Sequence, residues 1–256
     1  MENKGVYRQK DMHLKDASTR PLSGTISRYA ASRIYQQVLG IVTSFLCPKL
    51  LSANDFGIWT LLKVIPRYGY YTSHLGTGTS MRYLVPYYQE KGDAERANQA
   101  ERTTFSTGIG MNLITGILFV SICLGSNLAR EFRMGFLCMG IFLGLQFMHE
   151  YYLMYLKAHG RFDMITRTNY VFLTSGFLLT IPLLFWLRLY GLYVSTVLAE
   201  VAALAYLRLR VGPVLHFGWS WDVFLELLGR GMPLIYSYLK KYHMIQKMHE
   251  NSPQIS

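Results

Sequence analysis

Charge is scarce in this chain. Only 16% of its residues are Asp, Glu, Lys or Arg, whereas 51% are hydrophobic and the mean hydropathy is +0.17. A soluble domain usually carries about 25% charge. The few charges are also unevenly placed, gathering in short stretches between long runs that have almost none. Cysteine is scarcer still. Cys47, Cys123 and Cys138 have no paired spacing, which excludes a disulfide framework and a thiolate metal site. No glycine-rich phosphate loop, no pair of catalytic carboxylates and no metal-ligand spacing is present. The loops are too short to hold an active site. These absences argue against an enzyme and imply no cofactor and no metal. The first 28 residues are polar and basic, and they contain no short apolar core followed by a small-residue cleavage site. A cleaved leader is therefore not expected, and the first apolar run should stay as an anchor.

Apolar runs of about 20 residues, enough to cross a bilayer, recur along the chain. Six are expected: 29–51, 56–78, 105–124, 134–156, 170–187 and 189–207. The fold class is thus an all-α polytopic membrane protein, with a six-helix transmembrane lobe and the truncated start of a seventh helix. Residues 1–28 form a basic arm, 29–207 the lobe, 208–230 a linker, and 231–256 the seventh start and a polar tail. In that last segment the apolar run meets Lys240, Lys241, His243 and Lys247 and is too short to cross. Either it lies on the membrane surface or a longer protein would continue beyond it.

The net charge is +11 and the sequence pI about 9.6. In a soluble chain this would suggest nucleic acid. Here the excess sits in the arm and in alternate connectors, so the positive-inside rule accounts for it and no nucleic-acid partner is expected. The rule puts the N-terminus in the cytoplasm, and the protein, with its multiple passes, in a cell membrane.

A few charged residues fall inside the apolar runs, where each costs roughly 2.5–3.5 kcal/mol at the bilayer centre. Lys63 and Arg67 are four residues apart in the second run and share one helix face, with His74 two turns further along it. That face must look at protein or at water, and it suits an anion. The planar fork of Arg67 can bind phosphate oxygens bidentately, while Lys63 supplies a point charge. Arg33 extends the same wall from the first run, or else snorkels to the near interface. Glu200 lies near the middle of the sixth run; it is either protonated and structural or paired with Arg33 or Arg67. His149 and Glu150 in the fourth run read as an ion-coupling pair or as an interfacial helix–helix contact. Tyr68, Tyr70, Tyr71, Tyr83, Tyr87 and Tyr88 can stack on sugars, though interface anchoring explains most of them.

Three segments carry a family resemblance. They are Leu-Leu-Ser-Ala-Asn-Asp-Phe-Gly-Ile-Trp-Thr-Leu-Leu at 50–62, Leu-Gly-Thr-Gly-Thr-Ser-Met-Arg-Tyr-Leu-Val-Pro-Tyr-Tyr at 75–88 with Lys-Gly-Asp-Ala-Glu-Arg-Ala at 91–97, and Gly-Met-Pro-Leu at 231–234. Together they resemble the polysaccharide-biosynthesis flippases, the Wzx-type O-antigen translocases of the multidrug/oligosaccharidyl-lipid/polysaccharide superfamily. The resemblance spans roughly residues 25–238. It implies a transporter of the bacterial inner membrane. Such a protein moves an undecaprenyl-pyrophosphate-linked oligosaccharide to the outer leaflet for surface polysaccharide or lipopolysaccharide synthesis, by rocking one lobe against another. On that reading Arg67, Lys63, Arg33 and His74 bind substrate, while Glu200, His149 and Glu150 serve ion coupling. The partners are membrane lipids and a second lobe or second copy, because the resemblance covers only the first lobe. Two alternatives stay open: half of a multidrug or toxin exporter, and a non-transporting scaffold or inactive truncated fragment.

Overall fold

The computed structural model describes residues 22–64, 75–125, 129–214 and 216–233. All the regular structure among them is helical. In chain order the helices are α1 (Leu22–Leu50), α2 (Ala53–Leu62), α3 (Thr77–Glu90), α4 (Ala94–Gly125), α5 (Arg130–Ala158), α6 (Phe162–Leu187) and α7 (Leu189–Val211), followed by α8, described over 221–233. Four of them, α4 to α7, are long and apolar enough to cross a membrane. Even the shortest, 23 residues, reaches about 35 Å against a hydrocarbon core of about 30 Å. Their outward surfaces fit lipid rather than water: in α4, Leu113, Ile114, Ile117 and Leu118 are each more than half exposed. The chain therefore has the character of a polytopic membrane protein, with four candidate spans among the described residues. Hydroxyls inside these helices bond back to their own turn, as Thr115 Oγ1 does to the Met111 carbonyl (2.9 Å) and Thr196 Oγ1 to that of Leu192 (2.7 Å). That satisfies them without water.

The first two expected spans are not among these four. α1 is long, but Arg33, Gln36 and Gln37 in its first half leave it outside the apolar set. The second was expected from about Phe56 to Gly78, kinked or loosened at Pro66 and Gly69, which lie outside the described residues. α2 ends at Leu62, and Leu75 and Gly76 adopt left-handed backbone (φ 46° and 82°) before α3 starts at Thr77. Gly76 tolerates that conformation for want of a Cβ. The stretch 81–103, between the second and third expected runs, is helical except for the turn at Lys91–Asp93. Asp93 Oδ1 accepts the Arg96 N–H (3.0 Å), capping α4.

The described residues divide into two compact units. One comprises the chain up to Leu61 with Leu156–Pro213, and its centre is the α6–α7 hairpin. The two helices are separated by Arg188 alone (φ 49°). Gly191 packs so tightly that a Cβ there would stand 2.0 Å from the Leu183 carbonyl oxygen, and Thr180 and Ser195 share a hydrogen bond (3.1 Å). α1 lies along α6: Tyr35 meets the Tyr170 ring (centroids 5.5 Å) and bonds to Thr174 Oγ1 (3.1 Å). α2 sets Trp59 against Tyr193 of α7 (5.9 Å).

The other unit comprises Leu62–Tyr155 and the chain from Val214. In it α4 and α5 meet through Phe105, Phe147 and Tyr151, whose hydroxyl donates to the Glu101 carbonyl (3.1 Å). A Cβ on Gly108 would run into the Phe147 ring. α8 then packs on α3.

Candidate functional site

Arg67 and His74 lie outside the described residues. Lys63 sits in the turn that follows α2, exposed, in the second unit. Arg33 is in the first unit, exposed on α1, with Nη1 donating to Gln36 Oε1 (3.2 Å). Glu200 is buried in α7, 3% exposed, between the small residues Ala199 and Ala203. His149 and Glu150 are adjacent on α5, the histidine buried and the carboxylate half-buried.

The site with the most complete geometry is on α1, and it sorts the helix into three faces. Ser32, Tyr35, Leu39, Thr43 and Leu46 recur at helical spacing, are buried or half-buried, and include the contacts to α6. A second face, Ile34, Val38, Ile41 and Phe45, is apolar and more than half exposed, as a lipid-facing surface requires. The third holds Arg33, Gln37, Gly40 and Ser44 at i, i+4, i+7 and i+11, all exposed, with nothing within 4 Å of a Cβ built on Gly40. At 1.5 Å per residue this polar stripe is about 16 Å long. The sequence reading picked out Arg33 but missed its continuation. The signal was present in the fourfold spacing of polar and small residues, yet which side α6 would cover was not written in it.

A second cluster joins α3 to α8. Ser80 Oγ donates to the Leu227 carbonyl (2.6 Å), and the Tyr88 hydroxyl donates to the Glu226 carboxylate. Arg230 pairs with the same Glu226 (3.0 Å). Lys91 and Arg230 lie over the Tyr87 ring at 4.4 and 5.8 Å. Gly231 is so close to Gly76 that a Cβ would stand 2.5 Å from its carbonyl oxygen. Two of the segments that carry the family resemblance, 75–88 and 231–234, therefore meet here although more than 140 residues separate them.

Burial, and then the hydrogen bond and charge of Glu226, push the Tyr88 hydroxyl up to about 12, against the opposing pull of Arg96 and Arg230. A raised folded value means that the neutral hydroxyl is the favoured form. Its contribution to the α3–α8 contact is complete below the ordinary value of 10.0 and is lost as pH climbs through about 12. Glu226→Gln should lower that midpoint while leaving it above the ordinary value, because burial remains. The check is tyrosinate absorbance of the chain minus that of its Tyr88→Phe variant, with and without the glutamine. An unmoved midpoint would contradict the assignment to Glu226.

No protein-family model matches the chain, and neither a curated protein nor a solved structure matches it.

Proposed function

We propose that the chain is a flippase-like membrane transporter lobe that handles a lipid-pyrophosphate-linked oligosaccharide. One observation carries this reading: a helix too polar to face lipid all round lies alongside a membrane span and leaves its polar stripe, Arg33, Gln37, Gly40 and Ser44, open. A polar face at membrane depth borders protein or a water-filled path. The order of residue types suits the cargo. The Arg33 guanidinium offers a fork for a pyrophosphate, and Gln37 and Ser44 offer amide and hydroxyl partners to sugar hydroxyls. Arg67, Lys63 and His74 stay in the proposal as the substrate-binding residues that the family resemblance implies. Arg33 stands two residues from Tyr35, which meets the first turn of the uncharged stretch of α6. In this reading the N-terminus is cytoplasmic, so Arg33 stands nearer the cytoplasmic mouth of the path and Ser44 deeper in the membrane. The meeting of segments 75–88 and 231–234 supports the family reading as well.

The proposed cavity has a second wall, supplied by another lobe or another copy. The test is translocation in proteoliposomes of a fluorescent undecaprenyl-pyrophosphate oligosaccharide, read as the fraction protected from a reductant outside. The reading expects protection to equilibrate faster with protein than in empty vesicles, and equal rates would sink it.

A second reading, half of a cation exporter, draws on Glu200, a carboxylate buried in α7. It expects transport of a lipophilic cation that depends on Glu200, with no response to the lipid pyrophosphate.

A further inference from the structure

The chain between α7 and the end of the described residues is rich in exposed aromatic surface. Trp219, Trp221 and Phe224 form a cluster, with ring centroids 4.7 to 5.7 Å apart. Despite packing on one another, Trp219 and Trp221 remain 47% and 65% exposed, and Phe217 before them 70%. The exposure continues along α8. Trp221, Leu225, Leu228 and Met232 fall at i, i+4, i+7 and i+11, one side of a helix, all exposed except Leu228, which is half-buried. The opposite side carries Val223 and Leu227, buried, and is the side that faces α3 through Ser80. α8 is thus apolar on two sides: one is covered by α3 and the other is open.

The depth of this segment is set by α4. Ser106 Oγ donates to the Gly218 carbonyl (2.9 Å) and accepts the Gly218 N–H (3.1 Å). Thr103 Oγ1 accepts the Ser220 N–H (3.3 Å), and the Phe217 ring stands edge-on to Phe105 (5.1 Å). Residues 103–106 are where α4 changes character. Glu95, Arg96, Glu101 and Arg102 precede them, and no charged residue follows until Arg130. The tryptophans are therefore stapled to the level at which a span passes from charged to apolar, the membrane–water boundary.

We propose that residues 217–232 form an interfacial anchor, whose open side (Phe217, Trp219, Trp221, Leu225, Leu228 and Met232) rests on the headgroup–acyl boundary of the bilayer that the spans cross. Indole suits that depth, since its ring is apolar and its N–H finds carbonyl and water partners there. An amphipathic helix at this boundary lies in the plane of the membrane. The anchor thus holds α3, through Ser80 and Tyr88, against the membrane surface. The proposal depends on the membrane placement of α4 and not on what the protein transports.

The experiment compares the full chain with its Trp219→Phe/Trp221→Phe variant. Both are reconstituted in phosphatidylcholine vesicles whose acyl chains carry bromine either near the headgroup or near the terminal methyl. Both replaced side chains are largely exposed, so the fold is retained, and matching far-ultraviolet circular dichroism confirms it. The difference in emission between the two proteins is the signal of Trp219 and Trp221, free of Trp59 and Trp186. Shallow bromine should quench that difference emission by about half, and deep bromine clearly less. Three results would overturn the anchor. Stronger quenching by deep bromine places the segment inside the membrane. Quenching by aqueous iodide with none by bromine places it in water. Quenching by neither places the indoles against another protein, such as a second copy of this chain.

Discussion

Replacing Arg67 by alanine should weaken binding of an undecaprenyl-pyrophosphate oligosaccharide to the reconstituted chain by about 30-fold. The figure follows from about 2 kcal/mol for a charge-assisted hydrogen bond in a water-poor site. Arg67→Lys should fall between the two, because it keeps the charge and loses the bidentate fork. The sequence places Arg67 four residues after Lys63 on the same expected face, and two basic groups in an apolar run are costly without an anion. The loss should shrink as salt rises, although screening is weak inside a membrane cavity. Microscale binding in nanodiscs at two ionic strengths measures both effects. Equal affinity of parent and alanine variant, at equal protein levels, would remove Arg67 from the proposed path.

The second large effect concerns stability. Gly191→Ala should destabilise the protein by about 3 kcal/mol or more. The added Cβ would stand 2.0 Å from the Leu183 carbonyl oxygen and 2.4 Å from its carbon. Those atoms are backbone inside α6, so relief requires the hairpin to open. The neighbouring corner has no slack to give, since Arg188 already holds positive φ. Gly110→Ala is the matched control, because its Cβ would meet nothing within 4 Å. It should change stability by less than about 1 kcal/mol, and an alanine in a helix favours the change. Detergent-titrated unfolding of the two variants beside the parent decides the matter. Matching midpoints for all three would mean that the hairpin does not pack as described.

Much of the helical framework was legible in the sequence, for a simple reason. A span is a local property, written in about 20 consecutive apolar residues, and α4 to α7 carry that signature undiluted. α1 and the region after α2 carry it mixed with charge, proline and glycine. There, hydropathy did not foretell the turn at Leu75 and Gly76, which rests on backbone conformation rather than composition. The Asp93 cap was readable because a cap is a local pattern too.

The candidate site was less legible. Arg33 stood out as a charge in an apolar run, but the stripe it belongs to also includes Gln37, Gly40 and Ser44, each ordinary on its own. The stripe becomes visible only once α6 covers one face and leaves another open. The α3–α8 junction was hidden for a different reason. Its members, Ser80, Tyr88, Glu226, Arg230 and Gly231, are more than 130 residues apart, and nothing local announces a long-range pair.

The most direct test of the account is aqueous access along α1. Single cysteines are placed at Gln37 and Ser44 on the polar stripe, and at Val38 and Phe45 on the apolar face, with Cys47, Cys123 and Cys138 replaced by serine. The reconstituted variants are then treated with a charged, water-borne thiol reagent. The account predicts modification at 37 and 44, slowed when the lipid-pyrophosphate oligosaccharide is present, and little at 38 and 45. Protection of 37 and 44 to the same degree as 38 and 45, or labelling indifferent to the lipid pyrophosphate, would contradict a path along this helix.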